Sequence, residues 1–524
     1  MTATTTVRAP HGMVASVDQL ASAAGVHLLR SGGSAADAAI AANAVLAVTA
    51  PNLCGMGGDL FALVHERGGP RPAALNAAGK AGSGVDAGAL RAEGHTTMPF
   101  RDDLRSAPVP GCVDGWLALH ARYGRAPLGD VFAPAARYAR DGFPASPLLA
   151  AMVPALAGVP GAGSLAAPIR TGQRVVRPGV ASALDAIVEH GRDGFYRGAF
   201  GAGLIELGRG VYTTADLDTD LADWVEPLVV RAWDHDVWTM PPCSQGYLVV
   251  LAAAIADGLD VPDDPYDGEW AHLLVEAARA AGHDRPDVLH EHADVGPLLA
   301  PAAVAARRAR VDPEQRNTWA STTTAGDTTY LCAVDEDGMG VSLIQSNASG
   351  FGCHVFEPST GIGLHNRGIG FNLRPGHPAE AGPGRRPPHT LAPALVTRAD
   401  GSLRAVLGTM GGDSQPQIVL QLLARLLRHG RSAGAVIGAP RWALTSGSAT
   451  GFDTWTAGDD VRVAVETSAG PGWLDGLRNR GHDVEVVEGI AGGFGHAQLI
   501  EVTTDAMLAG AADPRALIGA ALGY

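Results

Sequence analysis

The chain has 524 residues, of which 46% are hydrophobic and 18% are charged, so it can bury a sizeable core and is not disordered. Its formal net charge of −15 argues against nucleic acid or an anionic membrane surface as the main partner. No window is apolar over the length of a membrane-spanning helix, and the N-terminus lacks a basic segment followed by an apolar one. We therefore expect a cytoplasmic enzyme or binding protein that acts on a small molecule.

The first dense pattern covers residues 12–64. A short strand at 12–16 precedes a helix at 18–30, and Ser34 with Asp37 forms a capping-box pattern before an alanine-rich helix at 35–48. So many alanines predict close packing on several sides of that helix. The run Gly55-Met56-Gly57-Gly58 before a strand lacks a P-loop lysine and Rossmann spacing, which favours close backbone packing over phosphate binding.

The cysteines do not predict chemistry. They are odd in number and scattered, which fits neither a disulfide framework nor a zinc site. Cys112 stands in a Pro/Gly turn with no nearby histidine to activate it, so a structural role is favoured. We expect all of them to be small buried hydrophobes, at Cys54, Cys112, Cys243, Cys332 and Cys353.

The middle of the chain offers no metal site. A helix is predicted at 247–256, followed by an acidic, proline-broken loop at 260–267 that is better explained as a solvated turn than as a calcium loop. His283, His290 and His292 lie near acidic residues but lack paired ligand spacing. No metal and no cofactor are predicted.

A polar run ends at Asp327, and an apolar β-branched strand begins two residues later, with Thr328 at the junction. The strand turns at 335–338, where Asp-Gly favours a tight hairpin, and returns at 341–346. One interpretation is an ordinary hairpin after a surface loop. The other is cleavage of the Asp327–Thr328 bond, which would make the Thr328 hydroxyl a nucleophile and its freed α-amine the base.

Farther on, Gly411-Gly412 precedes an amphipathic helix predicted at 418–429. Two glycines at a helix start can direct backbone N–H groups at a negative oxygen, as an oxyanion hole requires. Taken alone, this pattern is weak evidence.

In order along nearly the whole chain, these blocks resemble the γ-glutamyltranspeptidase family of N-terminal-nucleophile hydrolases. The similarity lies in the opening Gly12–Ser16 and Arg30–Ala38 segments, Pro110–Gly115 with Ala139–Phe143, Met240–Ser244, Asp327-Thr328-Thr329, Gly411-Gly412, and the ending Ala512–Arg515 with Ala520–Tyr524.

The resemblance implies an α+β fold, a four-layer αββα sandwich made as one self-cleaved precursor. It implies a large subunit of residues 1–327 and a small one of 328–524, intertwined in one domain, and it allows a homodimer of this unit. In this scheme Thr328 is the nucleophile, Ser346 hydrogen-bonds it, and the N–H groups of Gly411 and Gly412 stabilise the oxyanion. A threonine hydroxyl is a poor nucleophile at neutral pH, and an α-amine with a pKa near 8 can accept its proton.

The departures from the family bear on substrate. Gly370 stands where family members hold the glutamyl amino group with an aspartate, and His389-Thr390 replaces two serines that hold the α-carboxylate. Lys80 is the cation nearest to the family arginine position. Since unpaired charge in a pocket is costly, losing the aspartate argues against a glutamyl substrate.

Several side chains are candidates to bind a carboxylate or keto acid that lacks an α-amine. They are Lys80, Arg367, His389 and Thr390, together with Asn347, which adjoins the position of a family asparagine. The alternatives are solvated charges for Lys80 and Arg367 and a satisfied structural histidine for His389.

Three functions follow for testing. The first is an autoprocessed amidohydrolase or acyltransferase with altered acyl specificity. The second uses the same nucleophile to hydrolyse a C–C bond next to a carbonyl, as family members do in antibiotic pathways that form 4-alkyl-proline units. The third is an unprocessed, non-catalytic binding protein, against which the intact Asp327-Thr328 and Gly411-Gly412 argue.

Overall fold

Two seven-stranded sheets stacked face to face form the centre of the molecule. The computed structural model describes residues 4–319, 327–446, 454–456, 460–489 and 493–524. The upstream part of the predicted cleavage loop, residues 320–326, lies outside this range.

The strands are numbered in chain order. They are β1 (Val7–Ala9), β2 (Met13–Ser16), β3 (Asp59–His65), β4 (Ala73–Ala77), β5 (Phe143–Pro144), β6 (Arg174–Val175), β7 (Asp223–Val225), β8 (Leu228–Ala232), β9 (His235–Thr239), β10 (Asp327–Val334), β11 (Gly340–Ala348), β12 (Phe356–Glu357), β13 (Ile362–Gly363), β14 (Ala394–Thr397), β15 (Leu403–Thr409), β16 (Trp442–Thr445), β17 (Arg462–Glu466), β18 (Val484–Val487), β19 (Ala497–Val502), β20 (Leu508–Ala512) and β21 (Ala520–Gly523).

The helices are numbered in the same way. They are α1 (Gln19–Arg30), α2 (Ala35–Thr49), α3 (Ala87–Ala92), α4 (Cys112–Tyr123), α5 (Leu128–Asp141), α6 (Pro147–Met152), α7 (Pro178–His190), α8 (Arg192–Tyr196), α9 (Ala199–Gly208), α10 (Thr214–Asp218), α11 (Tyr247–Asp257), α12 (Gly268–Gly282), α13 (Arg285–Val288), α14 (Gly296–Leu299), α15 (Pro301–Arg308), α16 (Gln415–Leu423), α17 (Ala433–Gly438) and α18 (Pro471–Asn479).

Sheet I has the strand order β21-β2-β10-β11-β3-β4-β7, and sheet II has the order β1-β20-β19-β15-β14-β9-β8. Within these sheets every pairing is antiparallel. The small parallel pair, β17 with β18, belongs to a separate three-stranded sheet.

Alternation along the strands assigns each apolar side chain to one of three layers. Tyr330 and Ile344 of sheet I meet Leu395 and Val406 of sheet II in the layer between the sheets. The residues on the opposite faces pack against helices, with α2 and α4 on sheet I and α11 and α16 on sheet II. The predicted αββα sandwich is confirmed.

Helix α2 is buried along its whole length, as its alanine content predicts. Ser34 and Asp37 form the predicted capping box. Small side chains let α1, α5 and β10 approach it closely, so the helix supports the strand that carries Thr328.

The hairpin prediction is also confirmed, because β10 and β11 pair antiparallel around a turn in which Gly338 has φ +81°. The helix predicted at 418–429 begins earlier, at Gln415, because Pro416 suits the first turn of a helix. Its regular part ends at Leu423 and continues as a π-helical turn over Ala424–Arg428.

All five cysteines are free and buried, as expected. Burial raises the pKa of the Cys54 and Cys243 thiols to about 12, so they are not thiolates near neutral pH. Within the described ranges, His, Cys, Asp and Glu side chains form no three-residue group that could hold a metal ion. None of the helices in these ranges is long and apolar enough to cross a membrane.

Candidate functional site

Three polar side chains lie in a row across neighbouring strands of sheet I, at one end of the layer between the sheets. Thr328 is on β10, Ser346 is on β11, and Asp59 begins β3 directly opposite Ser346. All three are buried, with exposures of 0%, 2% and 0%. The alternation that turns Tyr330, Ile344 and Phe61 inward turns this row inward as well.

Hydrogen bonds fix the Thr328 hydroxyl. It donates to Ser346 Oγ at 3.1 Å and accepts from Gln415 Nε2 at 3.3 Å. Ser346 Oγ also accepts from the backbone N–H of Ala348 at 2.8 Å, which fixes the serine in turn. A β-bulge between Asp327 and Thr329 interrupts the strand pairing at this point, as bulges often do where a side chain must be re-aimed.

The loop of Gly411 and Gly412 lies at the start of α16, whose first residue Gln415 contacts Thr328. Both glycines have positive φ, +130° and +56°, and a Cβ at Gly411 would lie 2.5 Å from Ser414 Oγ. Gly411 C=O accepts from Ser414 Oγ at 2.7 Å. In a trans peptide the C=O and N–H groups point in opposite directions, so the Gly412 N–H points away from Ser414.

Asp59 connects several loops. Its Oδ1 accepts from the N–H of Gly79 at 2.8 Å and of Gly111 at 3.4 Å. Its Oδ2 lies 3.0 Å from His389 Nε2 and 3.5 Å from His365 Nδ1. Burial would raise the pKa of Asp59, but the positive potential of His365 and the hydrogen bond from His389 hold it below its usual range.

His389 is buried and has protein partners at both ring nitrogens. Its Nδ1 accepts from the N–H of Leu391 at 3.3 Å, so the proton on Nε2 is donated to Asp59. Burial lowers the pKa of His389 to about 4, although Asp59 opposes this shift. The ring is neutral near pH 7, and this arrangement favours the satisfied structural histidine over a direct ligand of substrate.

Arg367 and Thr390 are brought together. Arg367 is 2% exposed, and its Nη1 donates to Thr390 Oγ1 at 3.0 Å. Burial lowers the pKa of Arg367 to about 10, and the nearby guanidinium of Arg285 adds to this shift. Arg367 is therefore a buried cation, not a solvated surface charge.

Gly370 lies beside this cation. A Cβ at position 370 would lie 2.4 Å from the carbonyl oxygen of Pro388 and 3.3 Å from Arg367 Nη2. An aspartate cannot take this position unless the backbone shifts. The site therefore holds a guanidinium next to a position that has no room for an acidic side chain.

Two candidates lie apart from the inner row. Asn347 follows Ser346 on β11 and points to the other side, where its Nδ2 donates to the carbonyl of Pro51 at 3.1 Å. Lys80 is partly buried directly after Gly79, so its backbone is close to Asp59. These contacts do not test whether Asn347 or Lys80 binds substrate, so that role stays a prediction for each of them.

Sequence reasoning missed Asp59, His365 and Gln415. A carboxylate at the start of an otherwise apolar strand was the available signal for Asp59. Gln415 opens a helix just after the glycine pair, where a side chain can reach the hydroxyl that the loop faces. His365 carried no local signal, since Asp59 is far away in sequence.

The family model described as gamma-glutamyltranspeptidase matches residues 21–523. The chain is 35% identical to the oxamate amidohydrolase proenzyme of Klebsiella pneumoniae, with 98% of each chain covered. It is 33% identical to the glutathione hydrolase-like YwrD proenzyme of Bacillus subtilis, again over 98% of each chain. The solved cephalosporin acylase from Bacillus halodurans superimposes with a TM-score of 0.90 at 32% identity, covering 99% of this chain and 97% of that one.

Proposed function

Because this chain belongs to the gamma-glutamyltranspeptidase family, whose members include hydrolases, acylases and amidohydrolases, we propose that it is a self-cleaving amidohydrolase with Thr328 as nucleophile. Its proposed substrate is the amide of a short carboxylic acid that lacks an α-amino group. Cleavage before Thr328 would give subunits of residues 1–327 and 328–524.

The contacts of Thr328 support this role. After cleavage, the α-amine of Thr328 takes the proton of its own hydroxyl while Oγ1 attacks the amide carbon. Ser346 and Gln415 hold that hydroxyl in one orientation. The Gly412 N–H, with that of Gly411, is assigned to the developing oxyanion, a contribution worth about 3–4 kcal/mol of barrier per donor.

The proposed reaction then follows acyl transfer. Collapse of the tetrahedral intermediate breaks the C–N bond, and the amine group returns the proton to the leaving nitrogen, which departs as ammonia or an amine. The acyl group stays as an ester on Thr328 Oγ1. Water, deprotonated by the same amine, attacks this ester and releases the acid.

One observation carries the choice of substrate: position 370 has no room for an acid, and the Arg367 guanidinium lies beside it. A buried cation next to a hydroxyl suits a carboxylate and repels an ammonium group. The Klebsiella relative is named for oxamate, an amide that bears a carboxylate and no α-amine, which agrees with this charge pattern.

The test is a panel of amides assayed with the processed protein. Oxamate, malonamate, succinamate and glutaramate carry the carboxylate at increasing distance from the amide, and γ-glutamyl-p-nitroanilide carries the family's zwitterionic head. We expect ammonia release from at least one of the four acids, with kcat/KM at least about tenfold above that for the γ-glutamyl compound, since a misplaced charge costs more than 1.4 kcal/mol. Thr328→Ala should release none.

A preference for the γ-glutamyl compound would contradict the assigned specificity. The same panel includes β-keto acids, and the masses of their products test the C–C bond alternative. If only the β-keto acids are cleaved, C–C bond hydrolysis replaces the amidase proposal. Activity that survives Thr328→Ala would remove the nucleophile assignment. If the protein is uncleaved and acts on none of these compounds, the remaining hypothesis is an unprocessed binding protein.

A further inference from the structure

Behind Arg367 lies a small cavity of about 210 Å³. Two buried arginines line it, Arg285 from the start of α13 and Arg367, together with the backbone of Gly370. Arg285 is 4% exposed. We call this space the arginine cavity.

Arg285 has a donor that the protein leaves unused. Its Nη2 lies 3.5 Å from Asp413 Oδ1, but its buried Nε has no hydrogen-bond acceptor in the part of the chain that the structure describes. A buried guanidinium N–H without an acceptor is costly, and most such groups in native proteins find a partner. This donor points to an acceptor supplied by a ligand.

The charges around the cavity favour an anion. Arg285 is close enough to Arg367 that its charge helps to lower the pKa of Arg367, whereas Asp413 acts in the opposite direction. At the rim, the exposed Arg374 lies 3.6 Å from Asp287, so that pair is locally neutral. Two guanidinium groups that line one small cavity favour a ligand with a carboxylate.

The rest of the lining limits what the ligand can be. Leu289, Ile369 and Phe371 give the cavity an apolar wall that suits a few methylene groups. Drug-sized ligands need cavities of roughly 300 Å³ or more, so this one suits only a small acid.

We propose that the arginine cavity is a carboxylate subsite and that Arg285 is a specificity-determining residue, which holds the acidic end of the substrate together with Arg367. The proposal deepens the proposed function and rests on it for the identity of the acid. Arg285 also contacts Asp413, the residue that follows Gly412. An anion that draws Arg285 toward itself would therefore change a contact next to the proposed oxyanion loop.

Binding without turnover tests this subsite. Succinate is titrated into the processed protein by calorimetry, and its neutral diamide, succinamide, serves as the matched ligand. We expect succinate to bind and succinamide to bind at least about tenfold more weakly, since the neutral amide lacks the carboxylate's attraction to the two guanidinium groups. Equal binding of the two ligands would overturn the proposal.

Two variants with opposite expected effects separate recognition from structure. Arg285→Met should weaken succinate binding at least about tenfold, because it removes one of the two cations. Asp413→Asn should tighten binding, because it removes the competing carboxylate. The control, Arg71→Met, removes an exposed arginine paired with Glu226 outside the cavity and should bind as the wild type does.

The proposal is overturned if Arg285→Met binds succinate as tightly as the wild type, or if Asp413→Asn weakens binding as Arg285→Met does. A denaturing gel confirms that each variant is compared in the same cleavage state. Because calorimetry needs no turnover, failure of the amide assays would overturn the proposed reaction and leave this test intact. Amide turnover with unaltered binding in Arg285→Met would overturn the subsite alone.

Discussion

At the residue scale, the identity of position 370 determines which charge the site can hold. The carbonyl of Pro388 and the guanidinium of Arg367 fill the space that a side chain at 370 would need. A glycine here is therefore a packing requirement of this chain as well as the loss of an acid. Substrate preference and local stability are coupled at one position.

The first prediction concerns this position. Gly370→Asp should not restore activity toward γ-glutamyl compounds, because the carboxylate would pair with Arg367 and its Cβ would collide with Pro388. Overpacking of this kind costs about 1–3 kcal/mol, so we also expect a lower melting temperature. Thermal unfolding and kcat/KM on the amide panel measure both effects.

Gly370→Ala is the matched control, since it introduces the same Cβ without a charge. It should lose a similar amount of stability and retain more activity on carboxylate amides than Gly370→Asp. A gain of γ-glutamyl hydrolysis in Gly370→Asp, at unchanged stability, would contradict this interpretation of the site.

At the element scale, Asp59 holds the ends of several segments in place around the site. Its carboxylate binds the loop after β4 through Gly79, the start of α4 through Gly111, and the segment before β14 through His389. Thr390, adjacent to His389, receives the hydrogen bond from Arg367. The positions of Arg367 and Thr390, which are proposed to hold the carboxylate of the substrate, thus depend on Asp59 at the start of β3.

The second prediction is that Asp59→Asn lowers stability and weakens substrate binding. The amide keeps one acceptor oxygen but presents an N–H₂ group or a neutral oxygen to two histidines, and a buried polar group left without its partner costs about 1–3 kcal/mol. We expect a lower melting temperature and a raised KM for carboxylate amides.

Asp185→Asn is the control for this change. Asp185 forms an exposed pair with Arg140, so its neutralisation should alter stability by no more than about 0.5 kcal/mol. Equal effects of the two substitutions would show that Asp59 has no special role in holding these segments.

Elements with a strong local signal could be predicted from the sequence. The alanine-rich α2, its capping box and the β10–β11 hairpin depend on neighbours in sequence, and each was found as expected. The αββα layers came from resemblance to the family rather than from periodicity.

The contacts of the site could not be predicted in the same way. Asp59 and His389 are 330 positions apart, and no local pattern links them. Strand alternation could have separated Ser346 from Asn347, because adjacent strand residues face opposite sides. The room available to a side chain at Gly370 depends on Pro388, which only the folded chain brings near.

At the scale of the whole molecule, the segments before and after Thr328 interleave. In sheet I, β10 lies between β2 and β11, and β11 pairs with β3 on its other side. In sheet II, β1 pairs with β20, and in sheet I the C-terminal β21 pairs with β2. Two fragments produced by cleavage before Thr328 would share both sheets and stay together. A cytoplasmic location and a homodimer of the processed unit stay predictions.

The third prediction concerns acid. Burial lowers the pKa of both His389 and His496 to about 4, whereas an unfolded histidine titrates near 6.5. Between these values the unfolded chain binds protons that the native one does not. Stability is therefore fully present above about pH 6.5 and falls as the pH drops toward 4, by up to roughly 3 kcal/mol for each histidine.

Melting temperatures measured at fixed ionic strength from pH 7 to pH 4.5 check this slope. His496→Gln, which removes one of these two histidines and leaves His389 in place, should make the fall shallower. A melting temperature that stays constant or rises as the solution is acidified would contradict the buried neutral state of these histidines.

The central claim is that the chain breaks before Thr328 and that the new terminus performs the reaction. Intact-mass analysis of the mature, active protein under denaturing conditions tests it most directly. We expect two fragments, residues 1–327 and 328–524, with the second beginning at an unblocked threonine, and a single uncleaved chain for Thr328→Ala. Full activity in material that consists of one continuous 524-residue chain would contradict it.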